Sequence, residues 1–193
     1  MKYYSIPFAI IALFFNAISS NAQVVILPDT LPANNGIVTY SDVIKIDSAK
    51  LEELYRRARR WFVEHYKSAN NVIQLDDKQN GEIIGKGIIK SHWDPTALSV
   101  VPVDINHTVK VQFKDGRYRY EVTNINLSIY NKGYYSSTIN VSPSTTHMVV
   151  EDFVKSKKKR DKRMLYYVDR DINRLIVSLK TAMLVPSPQT EEW

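Results

Sequence analysis

The segment VKVQFKDGRYRYEV, residues Val109–Val122, decides the predicted fold. Apolar and polar residues alternate on both sides of an Asp-Gly pair, which is typical of a two-residue type I′ turn between antiparallel strands. Such a turn predicts four cross-strand pairs: Lys114 with Arg117, Phe113 with Tyr118, Val111 with Tyr120, and Val109 with Val122. A slip of one residue would move every apolar side chain to the other face, so the sequence specifies one register and one buried face.

The opposite face of this predicted hairpin is basic. Its lysines and arginines share the face with only one carboxylate, that of Glu121. We therefore treat the face as a candidate binding surface for an acidic partner. The candidate residues are Lys110, Gln112, Lys114, Arg117 and Arg119.

Two segments have the spacing of amphipathic helices. The first follows Asp47 or Ser48, either of which can cap it, and runs to about Tyr66. Its RRARR run lies mostly off the apolar stripe and is predicted to be a solvated face. The second helix ends before Pro186. The two stripes are Leu51, Leu54, Tyr55, Ala58, Trp61 and Phe62, and Met164, Leu165, Val168, Ile172, Leu175, Ile176, Leu179 and Met183.

The other segments predict strands and loops. An Asn-Gly turn joins the apolar runs 72–75 and 83–89 into a second hairpin. Gly85 and Gly87 within it indicate a bulge or the close approach of another element. Residues His92–Asp104, with two prolines, are predicted to be a connecting loop. Residues Leu127–Val154 are predicted to contain either a further hairpin or an ordered loop.

These elements predict an α+β, two-layer fold in one domain, residues 37–185, with a variable insertion at about 127–160. A strand near 37–47 precedes the first helix, and four strands and the last helix follow. The economical packing places both helices on one face of an antiparallel sheet. We expect Met164, Leu175, Ile176 and Leu179 to share that face with Leu54, Ala58 and Trp61, above Phe113, Tyr118 and Tyr120.

Three stretches between Thr39 and Ile125 carry a family resemblance: TYSDVIKIDSAKLEELYRRARRWF, NVIQLDDKQNGEIIGKG and VKVQFKDGRYRYEVTNI. They resemble a family of exported bacterial proteins, chiefly of the Bacteroidetes type, known as a domain of unknown function with a TBP-like fold. The resemblance implies the two-layer fold inferred above. It implies no catalytic residues, and the DNA binding of TBP does not follow from a shared fold.

The N-terminal residues have the three-part pattern of a cleaved secretory signal. Lys2 precedes an apolar stretch, Ile6–Ile18, that is too short to cross a bilayer, and Ser20-Asn21-Ala22 supplies small residues before the cleavage point. We predict removal of residues 1–22, an extended leader at 23–36, a tail at 186–193 and no later transmembrane segment. The protein is then exported, either periplasmic or extracellular. Because the chain has no cysteine, it is not a lipoprotein and has no disulfides.

A second basic feature is the run Lys155–Arg163, in which Asp161 is the only acid. Without this run the predicted mature chain has 18 basic and 19 acidic residues, so the run supplies nearly all of the positive charge. One interpretation is a solvated approach to the last helix, where cations oppose the helix dipole. The other is an anion contact through Lys155, Lys157, Lys158, Lys159, Arg160, Lys162 and Arg163.

The sequence contains no motif that indicates a particular chemistry. The glycines near Lys86 lack phosphate-loop spacing, and the four histidines are scattered, so we expect no cofactor and no metal site. The favoured interpretation is a non-enzymatic binding or structural module of the cell envelope. Its partner would be an acidic protein or a phosphate-bearing envelope component, and not nucleic acid. The alternative is an enzyme or small-ligand-binding protein with a site built from residues 92–104 and 127–154.

Overall fold

The computed structural model follows the predicted order of elements and adds several short ones. It describes residues 26–66, 69–96, 99–135, 138 and 140–186, so the predicted signal and most of the predicted tail lie outside the described residues. The strands are β1 (Ala33–Asn34), β2 (Ile37–Val38), β3 (Tyr40–Lys45), β4 (Ile73–Asp77), β5 (Glu82–Thr96), β6 (Ser99–Lys114), β7 (Arg117–Asn131), β8 (Tyr134–Tyr135), β9 (Asn140–Val141) and β10 (Ser144–Val149). The helices are α1 (Leu51–Tyr66), α2 (Ala69–Val72), α3 (Val150–Lys155) and α4 (Lys159–Leu184).

Six of these strands form one antiparallel sheet. The order is β10, β7, β6, β5, β4, and β3 pairs with the half of β7 that β10 does not reach. Two short hairpins, β1–β2 and β8–β9, lie outside it. The described part of the predicted leader is therefore not simply extended, because β1 pairs back onto β2.

The predicted register of the β6–β7 hairpin is confirmed at all four pairs, from Lys114–Arg117 to Val109–Val122. The predicted turn type is wrong. Gly116 has a φ of 73°, but Asp115 does not have the positive φ that a type I′ turn requires. The turn packs against the start of α1 instead, where the Gly116 amide donates to the Ala49 carbonyl at 2.8 Å and the Ile46 amide donates to the Gly116 carbonyl at 2.9 Å.

The first helix takes its N-terminal acceptor from this turn. The Leu51 amide donates to Asp115 Oδ1 at 2.8 Å, and this bond lowers the pKa of the Asp115 carboxyl. The predicted caps, Asp47 and Ser48, are wrong, because both residues lie in a turn that ends before the helix begins. The first amides of a helix need acceptors from outside it, and here tertiary structure supplies one.

Replacing Asp115 with alanine is expected to lower the Tm by about 2–4 °C, because the Leu51 amide loses its acceptor. Thermal unfolding followed by circular dichroism measures the shift. Asp115→Asn is the matched control, since its amide oxygen can still accept from Leu51. Equal losses in the two variants would contradict the capping role.

Both helices cover the same face of the sheet, as predicted. Residues of the two predicted stripes lie in one buried core with the apolar face of the β6–β7 hairpin: Leu54, Ala58, Trp61, Met164, Leu175, Ile176, Leu179, Phe113, Tyr118 and Tyr120. Arg57 departs from the predicted solvated face. It is only 9% exposed, and its guanidinium donates to the Met183 carbonyl at 2.7 Å and to Glu53 at 2.8 Å. It therefore satisfies a backbone acceptor at the C-terminal end of α4.

The two glycines of β5 mark a close approach, as one of the two predicted alternatives stated. A Cβ atom on Gly85 would lie 2.5 Å from Phe62 Cε1, and one on Gly87 would lie 2.2 Å from Tyr66 Cε1. Aromatic rings of α1 thus rest directly on the β5 backbone. A larger side chain at either position would therefore require these rings, or α1 with them, to move away from the sheet.

We expect Gly87→Ala to lower the free energy of unfolding by about 1–3 kcal/mol through overpacking. The added methyl group displaces Tyr66, whose hydroxyl bonds His107 Nε2 at 2.8 Å. Urea denaturation measures the loss. Lys86→Ala, at the exposed neighbouring position, is the control and should leave stability nearly unchanged. A Gly87→Ala protein as stable as the control would show that the helix is free to shift.

The predicted loop His92–Asp104 is wrong, since these residues continue the β5–β6 hairpin. His92 pairs with Pro102, Trp93 with Val101 and Thr96 with Ser99. Pro102 is tolerated because it lies beyond the last β6–β7 pair, Val103–Ile129, so its missing amide removes no bond from that ladder. For Leu127–Val154, the hairpin alternative is observed as β8–β9, although residues 127–131 belong to β7 and β10 and α3 follow.

Candidate functional site

The sheet face opposite the helices carries the predicted binding surface. Strand pairing sets Lys110 opposite Glu121 and Gln112 opposite Arg119 on this face. All five predicted residues are at least partly exposed: Lys110, Gln112, Lys114, Arg117 and Arg119. The alternation of the β6–β7 hairpin therefore places them together, as the sequence predicted.

A row of three cations crosses the sheet at the end nearest the Asp115–Gly116 turn. Arg117 pairs with Lys114 on one side and with Lys45 on the other. Like charges directly opposite each other on a sheet repel. Within the described part of the chain, none of the three makes an ion pair or side-chain hydrogen bond. Lys45 is not among the predicted surface residues, because the pairing of β3 with β7 is not encoded in either strand alone.

Neighbouring cations on this face are partly neutralised. Lys110 Nζ lies 3.1 Å from Glu82 Oε2, to which Gln112 also donates at 2.7 Å. Arg119 lies 3.4 Å from Glu121 at the surface. The uncompensated charge is therefore concentrated in the row Lys45–Arg117–Lys114, which we call the cationic row.

A shallow depression of about 390 Å³ adjoins the cationic row. Four of the five predicted surface residues line it, together with Val43 and the turn at Asn80–Gly81. Its walls combine cationic side chains, an amide and one exposed apolar side chain. Such a surface suits an anionic group, with Gln112 as an additional neutral donor.

The other half of the same face holds a polar cluster. The ranges 92–104 and 127–154 of the alternative site contribute Asp104, Tyr130, Ser128 and His147, and Lys90 and Asn106 come from outside them. Asp104, only 6% exposed, accepts from Lys90 Nζ at 2.6 Å and from the Tyr130 hydroxyl at 2.8 Å. These bonds raise the pKa of Lys90 and of Tyr130. Beside them, Ser128 Oγ lies 3.0 Å from His147 Nδ1. Titratable groups with mutual hydrogen bonds thus meet here, but on an open strand surface and not in a loop-enclosed pocket.

The geometry of Ser128 differs from that of an activated nucleophile. Its side chain is nearly buried, and Asn106 Nδ2 also donates to its oxygen at 3.2 Å. Asp104 is engaged by Lys90 and Tyr130, so it is not bonded to the histidine ring. A hydrolytic serine needs an exposed oxygen and an oriented base. The cluster satisfies its own polar groups and links β5, β6, β7 and β10.

The predicted anion contact, Lys155–Arg163, spans the end of α3 and the first turns of α4. Arg163 pairs with Asp94 at 3.2 Å, Lys162 bonds the Asp29 carbonyl, and the Arg160 carbonyl accepts from Trp93 Nε1 at 2.9 Å. Within the described residues, four side chains of the run are exposed and unpaired: Lys155, Lys157, Lys158 and Lys159. Of the seven basic residues predicted to contact an anion, these four lysines are the ones whose charge is not already paired within the described residues.

The two basic features lie at opposite ends of the sheet. Trp93, which anchors the run, pairs with Val101, whereas Arg119 of the predicted surface pairs with Gln112. The stretch of β6 between Val101 and Gln112 spans about 36 Å at 3.3 Å per residue. The run therefore does not extend the predicted binding surface, because the end of β5 holds it at the far end of the sheet.

The described residues contain no group of three or more histidine, aspartate or glutamate side chains placed to hold a metal ion. Among the helices of the described ranges, none is both long and apolar enough to cross a membrane.

Comparisons with known proteins place the fold. A TBP-like protein from Parabacteroides distasonis ATCC 8503 is 16% identical with a TM-score of 0.61, and the match covers 81% of this chain and 98% of that one. A DUF4468 family protein from Bacteroides ovatus ATCC 8483 is 19% identical with a TM-score of 0.62, and the match covers 82% and 93%. At these identities the likeness establishes the fold alone.

No curated protein sequence is significantly similar to this chain. A family model does match it, over residues 40–128, from the start of β3 into β7. That range includes all three stretches on which the resemblance was drawn, apart from Thr39. The predicted resemblance is confirmed: residues 40–128 match the model of the family described as a domain of unknown function (DUF4468) with a TBP-like fold.

Proposed function

We propose that this protein is an exported, non-enzymatic binding module of the cell envelope that takes an anionic partner on its open sheet face. The observation that carries the proposal is the cationic row Lys45–Arg117–Lys114. Backbone pairing holds these three charges side by side, and no carboxylate of the described residues forms an ion pair with any of them. An acidic protein or a phosphate-bearing envelope component has the charge that this surface lacks.

Electrostatics favours binding at this end of the sheet. Each like-charged cross-strand pair costs the folded protein up to about 1 kcal/mol, and an anion bound between the strands removes that cost. The neighbouring depression adds the Gln112 amide as a neutral donor and Val43 as an apolar contact. Because the cations are solvent-exposed, the interaction should weaken as ionic strength rises.

A pull-down from envelope extracts tests the surface with two charge-matched variants. Lys114→Glu/Arg117→Glu reverses two charges in the cationic row, and Lys157→Glu/Lys159→Glu makes the same net change in the basic run. We expect the first variant to lose the captured partner by about tenfold or more and the second to retain it, because charge reversal at a contact weakens binding. Extracts separated into protein and lipid fractions distinguish an acidic protein from a phosphate-bearing lipid or saccharide.

Each other result contradicts the proposal. Loss caused only by the Lys157→Glu/Lys159→Glu variant would move the contact to the basic run. Equal retention by both variants would exclude electrostatic binding through either feature.

Export is tested by the mass of the mature chain. Expressed with its own leader in a bacterial host, the protein should be recovered outside the cytoplasm without residues 1–22, so that it begins at Gln23. An Ala22→Leu variant is the control, since a large residue at this position should block cleavage. An intact Met1 in the membrane fraction of the wild type would contradict a cleaved signal.

A second candidate function rests on the contact between Ser128 and His147. It would be acyl transfer with Ser128 as nucleophile and His147 as base, and it would require Ser128 to become exposed, since its side chain is nearly buried in this structure. A fluorophosphonate probe that labels the wild type and fails to label Ser128→Ala would support this enzyme. An unlabelled wild type would leave the cluster with a stabilising role only.

A further inference from the structure

Most of strand β5 has a neighbouring strand on one side only. β6 pairs with it from Glu82 to Thr96, whereas β4 pairs with it only from Glu82 to Gly85. Within the described residues, the edge of β5 from Lys86 to Thr96 therefore has no paired strand. Alternate amide and carbonyl groups along this edge, about 35 Å long, have no strand partner in the ranges that the structure describes, and side chains of α4 contact the strand near its far end, within residues 91–94.

A depression of about 370 Å³ runs beside this edge. Four consecutive residues of β5, from Ile89 to His92, line it. Because successive strand residues point to opposite faces, the depression follows the edge of the strand and is not a cavity over one face. Its opposite wall comes from His65 of α1 and from Arg170, Asp171, Arg174 and Leu175 of α4.

The helix side of this groove is basic. Asp171 is almost fully buried, where Arg170 donates to it twice, at 2.8 and 2.9 Å, and Ser91 donates at 2.5 Å. Arg174 makes only a longer contact with Asp171, at 3.4 Å, and its side chain is 72% exposed. One carboxylate is therefore shared by two guanidinium groups. The charge of the exposed Arg174 is only partly neutralised.

The sheet side of the groove is basic as well. Lys86 and Lys90 lie two periods of the alternation apart on the open face of β5, whereas the His92 ring packs against the Tyr167 ring of α4, with 4.7 Å between centroids. Lys90 is engaged by Asp104 at 2.6 Å, but Lys86 makes no side-chain bond within the described ranges. A strand that added to this edge would thus meet cations on both of its faces. Exposed edges often carry lysines that deter self-association, and the same charges attract an acidic chain.

We propose that the β5 edge binds an extended acidic peptide as an additional strand of the sheet. Backbone hydrogen bonds to residues 86–96 would hold the peptide, and its carboxylates would meet Arg174 on one side and Lys86 on the other. Strand addition is an established mode of peptide recognition in which the main chain gives affinity and side chains give specificity. The site is separate from the cationic row, because β5 and β7 lie on opposite sides of β6.

The test uses a fluorescein-labelled, capped peptide of about eight residues that alternates valine and glutamate. Two control peptides replace glutamate with lysine or carry N-methyl groups on alternate amides. We expect the acidic peptide to bind and both controls to fail, the second because it cannot form the ladder. In amide hydrogen exchange, the bound acidic peptide should protect residues within 86–96 and should not protect β3.

Two variants locate the contact. Lys86→Gln/Arg174→Gln should weaken binding of the acidic peptide by about tenfold or more, while Lys50→Gln/Arg56→Gln, which removes two exposed cations near the start of α1, should leave it unchanged. No binding of the acidic peptide, equal binding of the N-methylated peptide, or unchanged affinity in Lys86→Gln/Arg174→Gln would overturn the proposal. A dimer of the free protein whose formation protects residues 86–96 would overturn it in favour of a second copy of this chain.

Discussion

Replacing Trp61 with alanine is expected to lower the free energy of unfolding by about 3–5 kcal/mol. Trp61 is 4% exposed, and its ring packs against Phe62 at 4.8 Å and His65 at 5.2 Å between centroids. Its Nε1 donates to Ser178 Oγ of α4 at 3.0 Å. The substitution therefore removes packing between α1 and α4 and leaves the Ser178 hydroxyl without this donor.

Urea denaturation of three proteins measures the effect. Trp61→Phe should lose much less than Trp61→Ala, because it keeps an aromatic ring in the site and loses mainly the hydrogen bond. Val63→Ala, on the exposed side of the same helix, should lose little. A Trp61→Ala protein as stable as Val63→Ala would mean that α1 packs with a different face.

The register of the β6–β7 hairpin could be predicted because its determinants are local. The alternation of Val109–Phe113 and Tyr118–Val122 and the two-residue turn leave one pairing that buries a single apolar face. The turn type could not be predicted, since Gly116 and Asp115 adopt the conformation that lets them bond Ala49 and Leu51. Those partners are distant in sequence, so the local sequence of the turn cannot predict these contacts.

The predicted helix faces are correct for the apolar residues, whose positions depend on burial alone. They are wrong for Arg57, whose position depends on a polar contact. Arg57 is polar by type, yet its guanidinium lies between α1 and α4 because the Met183 carbonyl needs a donor there. Asp115 caps the N-terminus of α1, although it lies 64 residues after Leu51 in the sequence. In both cases the requirement comes from a backbone group at a helix end, and the side chain that meets it comes from another element.

The polar cluster on the open face could not be predicted because β7 contains a bulge. Thr108 pairs with Thr123 and Asn106 with Asn126, so two residues, Asn124 and Ile125, oppose His107. Asn124 adopts a positive φ of 54°, which asparagine tolerates better than most residues. The bulge shifts the alternation of β7 by one residue. Ser128 and Tyr130 therefore face the open side, where simple alternation from Tyr118 would have buried them.

The cationic row shows the same limit for the candidate site. Lys114 and Arg117 follow from the hairpin register, which is local. Lys45 joins them only because β3 pairs with β7 in a register that sets it opposite Arg117. The apolar residues of β3 are too few to specify that partner from sequence. The positions of polar residues on a functional surface are therefore the hardest to predict from sequence, because exposed polar side chains contribute no hydrophobic burial that would fix the register of their strands.

Lowering the pH from about 7 to about 4 is expected to cost the folded protein about 3 kcal/mol through His107 alone. His107 is 2% exposed, and burial lowers its pKa to about 4, whereas a histidine in an unfolded chain titrates near pH 6.5. Between these two pKa values the unfolded chain binds a proton that the native protein does not. Stability is therefore complete above about pH 6.5, falls as the pH decreases, and loses no more through this group below about pH 4.

The contacts of the ring explain why it stays neutral. His107 Nδ1 lies 3.1 Å from the Ile105 carbonyl, which can only accept, so this nitrogen carries the proton. Nε2 is then free to accept from the Tyr66 hydroxyl at 2.8 Å. A second proton on Nε2 would remove this acceptor and would place a charge in the core, where none of the described carboxylates contacts the ring. Burial also lowers the pKa of His65, which adds to the loss in the same direction.

Urea denaturation of the wild type and of His107→Gln at several pH values between about 5 and 7 isolates this effect, because His65 is present in both proteins. The carboxyls of Glu52, Asp77 and Asp115 have lowered pKa values and titrate below that window. The His107→Gln variant keeps hydrogen-bonding groups but cannot titrate. It should be less stable than the wild type at pH 7, yet its stability should vary much less with pH. Equal slopes in the wild type and His107→Gln would mean that His107 is solvated or paired with an acid in the native state.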